Sequence, residues 1–124
     1  MKIPNQYLPI MPYLIFPRAA EFLVYAKNVF GATEQLIVPG PDGGIMHGEI
    51  KIGPAVVMIS SGSDQWKEKT AAMYLYVEDV NKVYRAALFH NSKNLEIPQK
   101  KEYGYTAGFE DPFNNQWFIV ESEK

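Results

Sequence analysis

The sequence predicts an α+β fold built from two paired β-α-β-β-β modules, and three observations carry that prediction. The pair Tyr13-Leu14 recurs 61 positions on as Tyr74-Leu75, and Ala26 recurs at the same offset as Ala87. Each tyrosine-leucine pair opens a strand-like run, Tyr13 to Phe16 and Tyr74 to Val77, that leads into a stretch of helical periodicity. Downstream of each helix come a short strand and then a hairpin. Unrelated segments would have to agree in strand, helix phase, hairpin position and offset at once, so two copies of one unit around a shared cavity are expected.

The elements follow in order. Ala19, Phe22, Leu23 and Ala26 fall at i, i+3, i+4 and i+7, which is one buried helical stripe. Pro39-Gly40-Pro41-Asp42-Gly43-Gly44 is a tight connection before the first hairpin. That hairpin runs from Ile45 to Ile52, turns at Gly53-Pro54 and returns from Ala55 to Ile59. Alternation along it places Met46, Ile50 and Ile52 on an apolar face under the helices, and His47 with Glu49 on the other face. Ser60 to Gln65 begins a polar linker that also holds Trp66. A tryptophan there packs on a partner subunit, over a cavity mouth, or back on its own core. Val80, Val83, Tyr84 and Ala87 repeat the helical stripe, with His90 as an exposed helix-end residue. The second hairpin runs from Tyr105 to Phe109 and, after a turn near Asn114-Asn115, from Gln116 to Val120. The expected organisation is one domain over 1–124, with module one at about 7–60, a linker at about 61–70 and module two at about 71–122.

Composition narrows the function classes. A 124-residue chain with 47% hydrophobic residues can bury one core but has no room for a second independent domain. Its 12 basic and 14 acidic residues are interspersed, so there is no basic block to neutralise phosphates, and nucleic acid is not an expected partner. Lys67, Lys69, Lys100 and Lys101 sit beside acidic residues and read as solvated surface. With no cysteine the chain has neither a disulfide nor a thiol nucleophile, which suits a reducing compartment. Pro4, Asn5, Gln6, Pro9 and Pro12 interrupt any apolar leader, and no run reaches membrane-spanning length. A cytoplasmic protein with no membrane partner is the expectation.

Several ordered segments are specific in combination. They are Pro12-Tyr13-Leu14, Val29-Phe30-Gly31-Ala32, Gly43-Gly44-Ile45-Met46-His47-Gly48-Glu49, Leu75-Tyr76-Val77-Glu78-Asp79-Val80 and Glu110-Asp111-Pro112-Phe113-Asn114-Asn115-Gln116-Trp117. Together they resemble the glyoxalase/bleomycin-resistance/dioxygenase family of the vicinal oxygen chelate superfamily, over nearly the whole chain. The resemblance implies paired β-α-β-β-β modules, mixed sheets curled around a cup with the helices outside, and a homodimer. Asn114 stands where the family often has glycine, and asparagine tolerates the left-handed backbone such a turn needs.

The resemblance also implies where metal ligands would stand. The family's metalloenzymes use His or Glu at four strand positions, which fall here on Met11, Met58, Ala72 and Phe118. None is a His or a carboxylate, so no metal and no other cofactor is expected. Glu121 lies three positions beyond Phe118, on the opposite face of a regular strand, and reads as a solvated end. Related sequences carry methyltransferase labels, yet Gly40 to Gly44 reads as a turn rather than a nucleotide-binding loop.

The expected ligand-binding residues are Met11, Tyr13, His47, Glu49, Met58, Tyr74, Tyr76 and Phe118, an apolar and aromatic set with a polar pair on one strand. Ile15, Val56 and Val120 share the inward phase. Such residues either line an open cup or fill it as core. His47 and Glu49 are a polar anchor, an acid/base pair, or a solvated strand face. No catalytic residue is assigned. The favoured expectation is metal-independent, non-catalytic binding of a small amphipathic or aromatic molecule, as in the bleomycin-resistance branch. The alternative is a divergent lyase, isomerase or dioxygenase with a displaced metal or His47/Glu49 acid-base chemistry.

Overall fold

In the computed structural model, which describes residues 1–122, the chain forms two compact units, one spanning Met1–Lys69 and the other running from Thr70 onward. The first contains β1 (Tyr13–Ile15), α1 (Ala19–Phe30), β2 (Thr33–Pro39), a 3-10 turn (Pro41–Gly43), β3 (Ile45–Ile52) and β4 (Ala55–Ser60). Its sheet has the order β1-β4-β3-β2, with β1 parallel to β4 and the other pairs antiparallel.

Helix α1 packs on β3 and buries Ala19, Phe22, Tyr25, Ala26 and Val29, while Leu23 is half-buried. The helix stops where Gly31 takes φ +68°, which L side chains rarely adopt. Gly31 N donates to the Lys27 carbonyl at 3.1 Å and Ala32 N to that of Ala26 at 3.2 Å, closing the last turn. Leu14, Ile50, Ile52, Val57 and Ile59 supply the buried face of the sheet.

The apolar face of β3 differs from simple alternation. Val38 pairs with His47 but Pro39 pairs with Ile45, so Met46 is an extra residue in a β-bulge. A bulge inverts the parity of everything before it. Ile45 is therefore buried and Met46, expected under the helix, is 60% exposed.

The second unit repeats the plan with β5 (Ala72–Tyr76), α2 (Val80–Phe89), β6 (Lys93–Lys101), β7 (Gly104–Glu110) and β8 (Gln116–Glu121), in the order β5-β8-β7-β6. Its register shows the repeat directly. Tyr74 pairs with Phe118 as Tyr13 pairs with Met58, at offsets of 61 and 60. Helix α2 lies on β6, β7 and β8 and buries Val80, Tyr84 and Ala87. Asp79 Oδ1 accepts from Lys82 N at 3.1 Å at its N-terminus, and Glu121 Oε2 accepts from Val80 N at 2.7 Å. Glu121 is thus on the face opposite Phe118, as expected, but it caps a helix rather than ending in solvent. His90 closes the helix half-buried beside the Phe89 ring, less exposed than expected.

The turn between β7 and β8 is organised by buried Asp111. Its carboxylate accepts from Phe113 N at 2.8 Å, Asn115 N at 2.9 Å, Asn115 Nδ2 at 3.1 Å and Trp117 Nε1 at 2.9 Å. Asn114 takes φ +74°, the left-handed conformation anticipated for it. Among the described residues no helix is long and apolar enough to cross a membrane.

Candidate functional site

Strand pairing gathers the polar residues of the first module. Tyr13 is the register partner of Met58, and Met58 that of Glu49, so the three stand side by side on one sheet face, with His47 two residues along β3. Glu49 is 3% exposed, and a carboxylate so placed needs several donors. Tyr7 Oη donates to both of its oxygens, at 2.8 and 3.0 Å, and Gln35 Nε2 donates to Oε1 at 3.0 Å. His47 Nε2 lies 2.8 Å from Oε2. Burial pushes the Glu49 carboxyl up, but the hydrogen bonds from Gln35, His47 and Tyr7 outweigh it and hold the group below the ordinary glutamate range. The same bond to Glu49 favours the neutral phenol of Tyr7 and raises its pKa.

An ionised carboxylate can only accept, so the hydrogen between the two groups belongs to His47 Nε2. Nδ1 then points the other way, where the Tyr13 hydroxyl lies 3.4 Å off and the two ring centroids are 5.6 Å apart. Glu49 is therefore a positioning group. It sets the imidazole so that one nitrogen is occupied and the other is presented.

Tyr13 and His47 belong to the wall of a cleft of about 830 Å³ lined by residues of the first module. Ile15, Pro41, Ile45, Met46 and Trp66 give it apolar surface, and Ser60, Ser61, Ser63 and Lys69 add polar groups. Trp66 is 63% exposed and lines the cleft, which matches the cavity-mouth alternative for this residue. Its loop is closed by Ser63 N donating to the Trp66 carbonyl at 3.0 Å and Trp66 N to Ser63 Oγ at 3.1 Å. Gly62 makes that closure possible, since at φ +82° a Cβ would stand 2.8 Å from the Trp66 carbonyl oxygen and 2.9 Å from Ile15 Cγ2.

Of the residues singled out in the sequence, Tyr13 and His47 line this cleft and Glu49 lies behind His47. Met58 flanks Glu49 and Met11 precedes β1; both are half-buried, and neither lines it. In the second module Tyr74 neighbours Phe118 in the register and its ring centroid is 5.8 Å from that of Tyr76. These three are 56%, 39% and 65% exposed in the order Tyr74, Phe118, Tyr76, so they do not fill a core. Register places Thr106 and Gly108 where the first module has His47 and Glu49. Lys101, read as bare surface, pairs with Glu96 at 2.6 Å.

Tyr7, Gln35, the three serines and Lys69 were not anticipated. Tyr7 sits in a proline-broken segment without periodicity, and the serines and Lys69 belong to a stretch that reads as a linker. The one local signal was Gly62 among serines.

No family model matches the chain. Protein Rv0887c of Mycobacterium tuberculosis is similar to it over 122 residues at 27% identity, covering 89% of this chain and 72% of that protein. A glyoxalase/bleomycin resistance protein/dioxygenase family enzyme from Burkholderia phytofirmans superposes with a TM-score of 0.70 at 15% identity, over 91% of this chain and 97% of that one. The chain has the vicinal oxygen chelate fold. TnmS3, an antibiotic binding protein from Streptomyces sp. CB03234, superposes with a TM-score of 0.67 at 14% identity, over 94% of this chain and all (100%) of that one.

Donor chemistry decides the metal positions that the resemblance assigns to a vicinal oxygen chelate protein. Met11, Met58, Ala72 and Phe118 offer two thioethers, a methyl and a ring, with no nitrogen or oxygen donor, so a divalent ion does not fit them. Among the described residues no group of three or more His, Cys, Asp or Glu side chains is placed to hold a metal. His47 and Glu49 supply two donors, and the carboxylate is already shared by three protein groups.

Proposed function

We propose that this protein binds a small amphipathic or aromatic organic molecule, without a metal and without transforming it. The observation that carries the reading is the first-module cleft. Its volume of about 830 Å³ falls within the roughly 300–1,000 Å³ typical of small-molecule sites, and apolar walls with a few placed polar groups are what such sites use. The antibiotic-binding role of TnmS3, which shares the fold, supports it. Tyr13 and His47 touch the ligand in this reading, while Glu49 acts through His47. Tyr74, Tyr76 and Phe118 present an exposed aromatic face that suits either a ligand or a homodimer contact. A cytoplasmic setting belongs to the same reading.

A second reading rests on one specific contact. Glu49 orients His47 with Nδ1 toward Tyr13, which is how a general base is held. The alternative is therefore an acid-base enzyme using His47.

A thermal melt against a panel of flat amphipathic compounds, with and without EDTA, separates these readings. Saturable stabilisation of EDTA-treated protein is expected, about 2.7 kcal/mol at a hundredfold excess over Kd, with no response to manganese, nickel, zinc or iron. No stabilisation by any compound, or stability that EDTA removes and one metal restores, would overturn the binding reading. Product formation that disappears in His47→Gln would put the enzyme in its place.

A further inference from the structure

We infer that the first-module cleft is built for an organic anion, a flat ring system bearing a carboxylate or a similarly acceptor-rich group. This rests on the reading of the cleft as a binding site and adds the charge of what it takes.

The lining is one-sided in its electrostatics. It contains Lys69 and no Asp or Glu. Asp64 and Glu68 flank it in sequence but do not line it. The Lys69 ammonium has no ion pair or hydrogen bond among the described residues. Its backbone is held to β1, with Ile15 N donating to the Lys69 carbonyl at 2.9 Å and Lys69 N to that of Ile15 at 2.8 Å. The backbone from which the Lys69 side chain springs is thus held at the cleft wall, and the exposed ammonium has no protein partner among the described residues.

The serines can serve the same ligand, although each also keeps a second lone pair. A hydroxyl has one hydrogen to give and lone pairs to accept with. Ser60 Oγ accepts from Gly62 N at 3.1 Å, Ser61 Oγ from Ile45 N at 2.9 Å, and Ser63 Oγ from Trp66 N at 3.1 Å. None of the three donates to an acceptor among the described residues, so each keeps its hydrogen for a ligand. A ligand in this cleft meets three serine hydroxyls and an ammonium, beside the Tyr13 hydroxyl and the His47 imidazole, with Trp66 and Met46 for its ring. An anion finds donors in Lys69 and the serine hydroxyls. An ammonium ligand would face Lys69 and find no carboxylate, which leaves a desolvated charge uncompensated.

Three probes with one ring system separate charge from shape: 2-naphthoate, neutral 2-naphthamide and 2-naphthylmethylammonium, titrated by calorimetry at pH 7 and low salt. Naphthoate is expected to bind at least about tenfold tighter than the ammonium probe, the scale of a charge-assisted hydrogen bond. Lys69→Gln should erase most of that advantage while leaving naphthamide within about twofold, and Trp66→Ala should weaken all binding. Equal or tighter binding of the ammonium probe, or unchanged naphthoate affinity in Lys69→Gln or Trp66→Ala, would overturn the inference and leave the binding reading standing. Failure of all three probes to bind would overturn the inference, and the binding reading would fall with it only if the wider compound panel also gave no stabilisation.

Discussion

His47 Nε2 lies 2.8 Å from Glu49 Oε2, and this contact decides which edge of the imidazole reaches the cleft. Glu49 also takes hydrogens from Tyr7 and Gln35, which leaves His47 one compatible orientation. The pair therefore links the buried Glu49 carboxylate, held by half-buried Tyr7 and Gln35, to a cavity wall shared by His47 and Tyr13.

Replacing Glu49 with Gln should reverse the hydrogen between the two side chains. Gln keeps one acceptor oxygen for Tyr7 and Gln35, and its NH2 then faces His47 Nε2. The neutral ring must move its hydrogen to Nδ1, toward Tyr13. Nitrogen NMR of the imidazole above pH 8 should show the Nε2–H tautomer in wild type and Nδ1–H in Glu49→Gln, at a stability cost of about 1–3 kcal/mol. The same tautomer in both would mean that Glu49 does not position the ring.

Acid should unfold the wild type more steeply than Glu49→Gln. The Glu49 carboxyl is held below its ordinary pKa in the folded state, so the unfolded chain binds the proton more tightly. Its stabilisation is fully present above about pH 4.3, the ordinary glutamate value, and is lost as pH falls through the depressed one. Asp111 has the opposite sign: burial raises its carboxyl despite four hydrogen bonds, so its contribution is lost as pH rises. Asp111 is common to both proteins and cancels. Urea melts from pH 7 to pH 3 should show the wild-type advantage shrinking, and an advantage constant across that range would refute the assignment.

Asp111→Asn tests the turn that aligns β8. The carboxylate uses one oxygen for Phe113 N and Asn115 N and the other for Asn115 Nδ2 and Trp117 Nε1. Asparagine can serve one side only, and its NH2 meets donors on the other. A loss of about 2–4 kcal/mol in denaturant melts is expected, with a change in Trp117 emission. A loss below about 0.5 kcal/mol would show that the network is not rigid.

Much of the fold was legible because its signals are local. The helical stripes, the Gly53-Pro54 hairpin and the 61-residue offset all appear within short windows or simple subtraction. What failed depended on strand register or on partners outside the local window. Met46 changed faces because a bulge against Pro39 inverted the strand parity. Glu121 became a helix cap because Val80, 41 positions earlier, supplies the donor. Within the site, His47 and Tyr13 were readable from alternation, whereas Lys69 and the serines join the cleft only when the linker folds back on β1.

That fold-back can be tested at Gly62. The residue holds φ +82°, and an added Cβ would come 2.8 Å from the Trp66 carbonyl oxygen, which is backbone and cannot yield cheaply. Gly62→Ala must either adopt a strained left-handed conformation or open the Ser63–Trp66 loop, at a cost of about 1–3 kcal/mol. Opening the loop would carry Trp66 and Lys69 away from Ile15 and break the cleft while leaving the helices intact. The expected result is a red shift or quench change in Trp66 emission, weaker binding of 2-naphthoate and near-native far-ultraviolet circular dichroism. Gly31→Ala is the control, since Gly31 also has positive φ at +68° but no atom stands within 4 Å of a Cβ there. It should lose stability without losing the ligand, and equal loss of binding in both variants would show that strain alone, not the geometry of the Trp66 loop, governs the cleft.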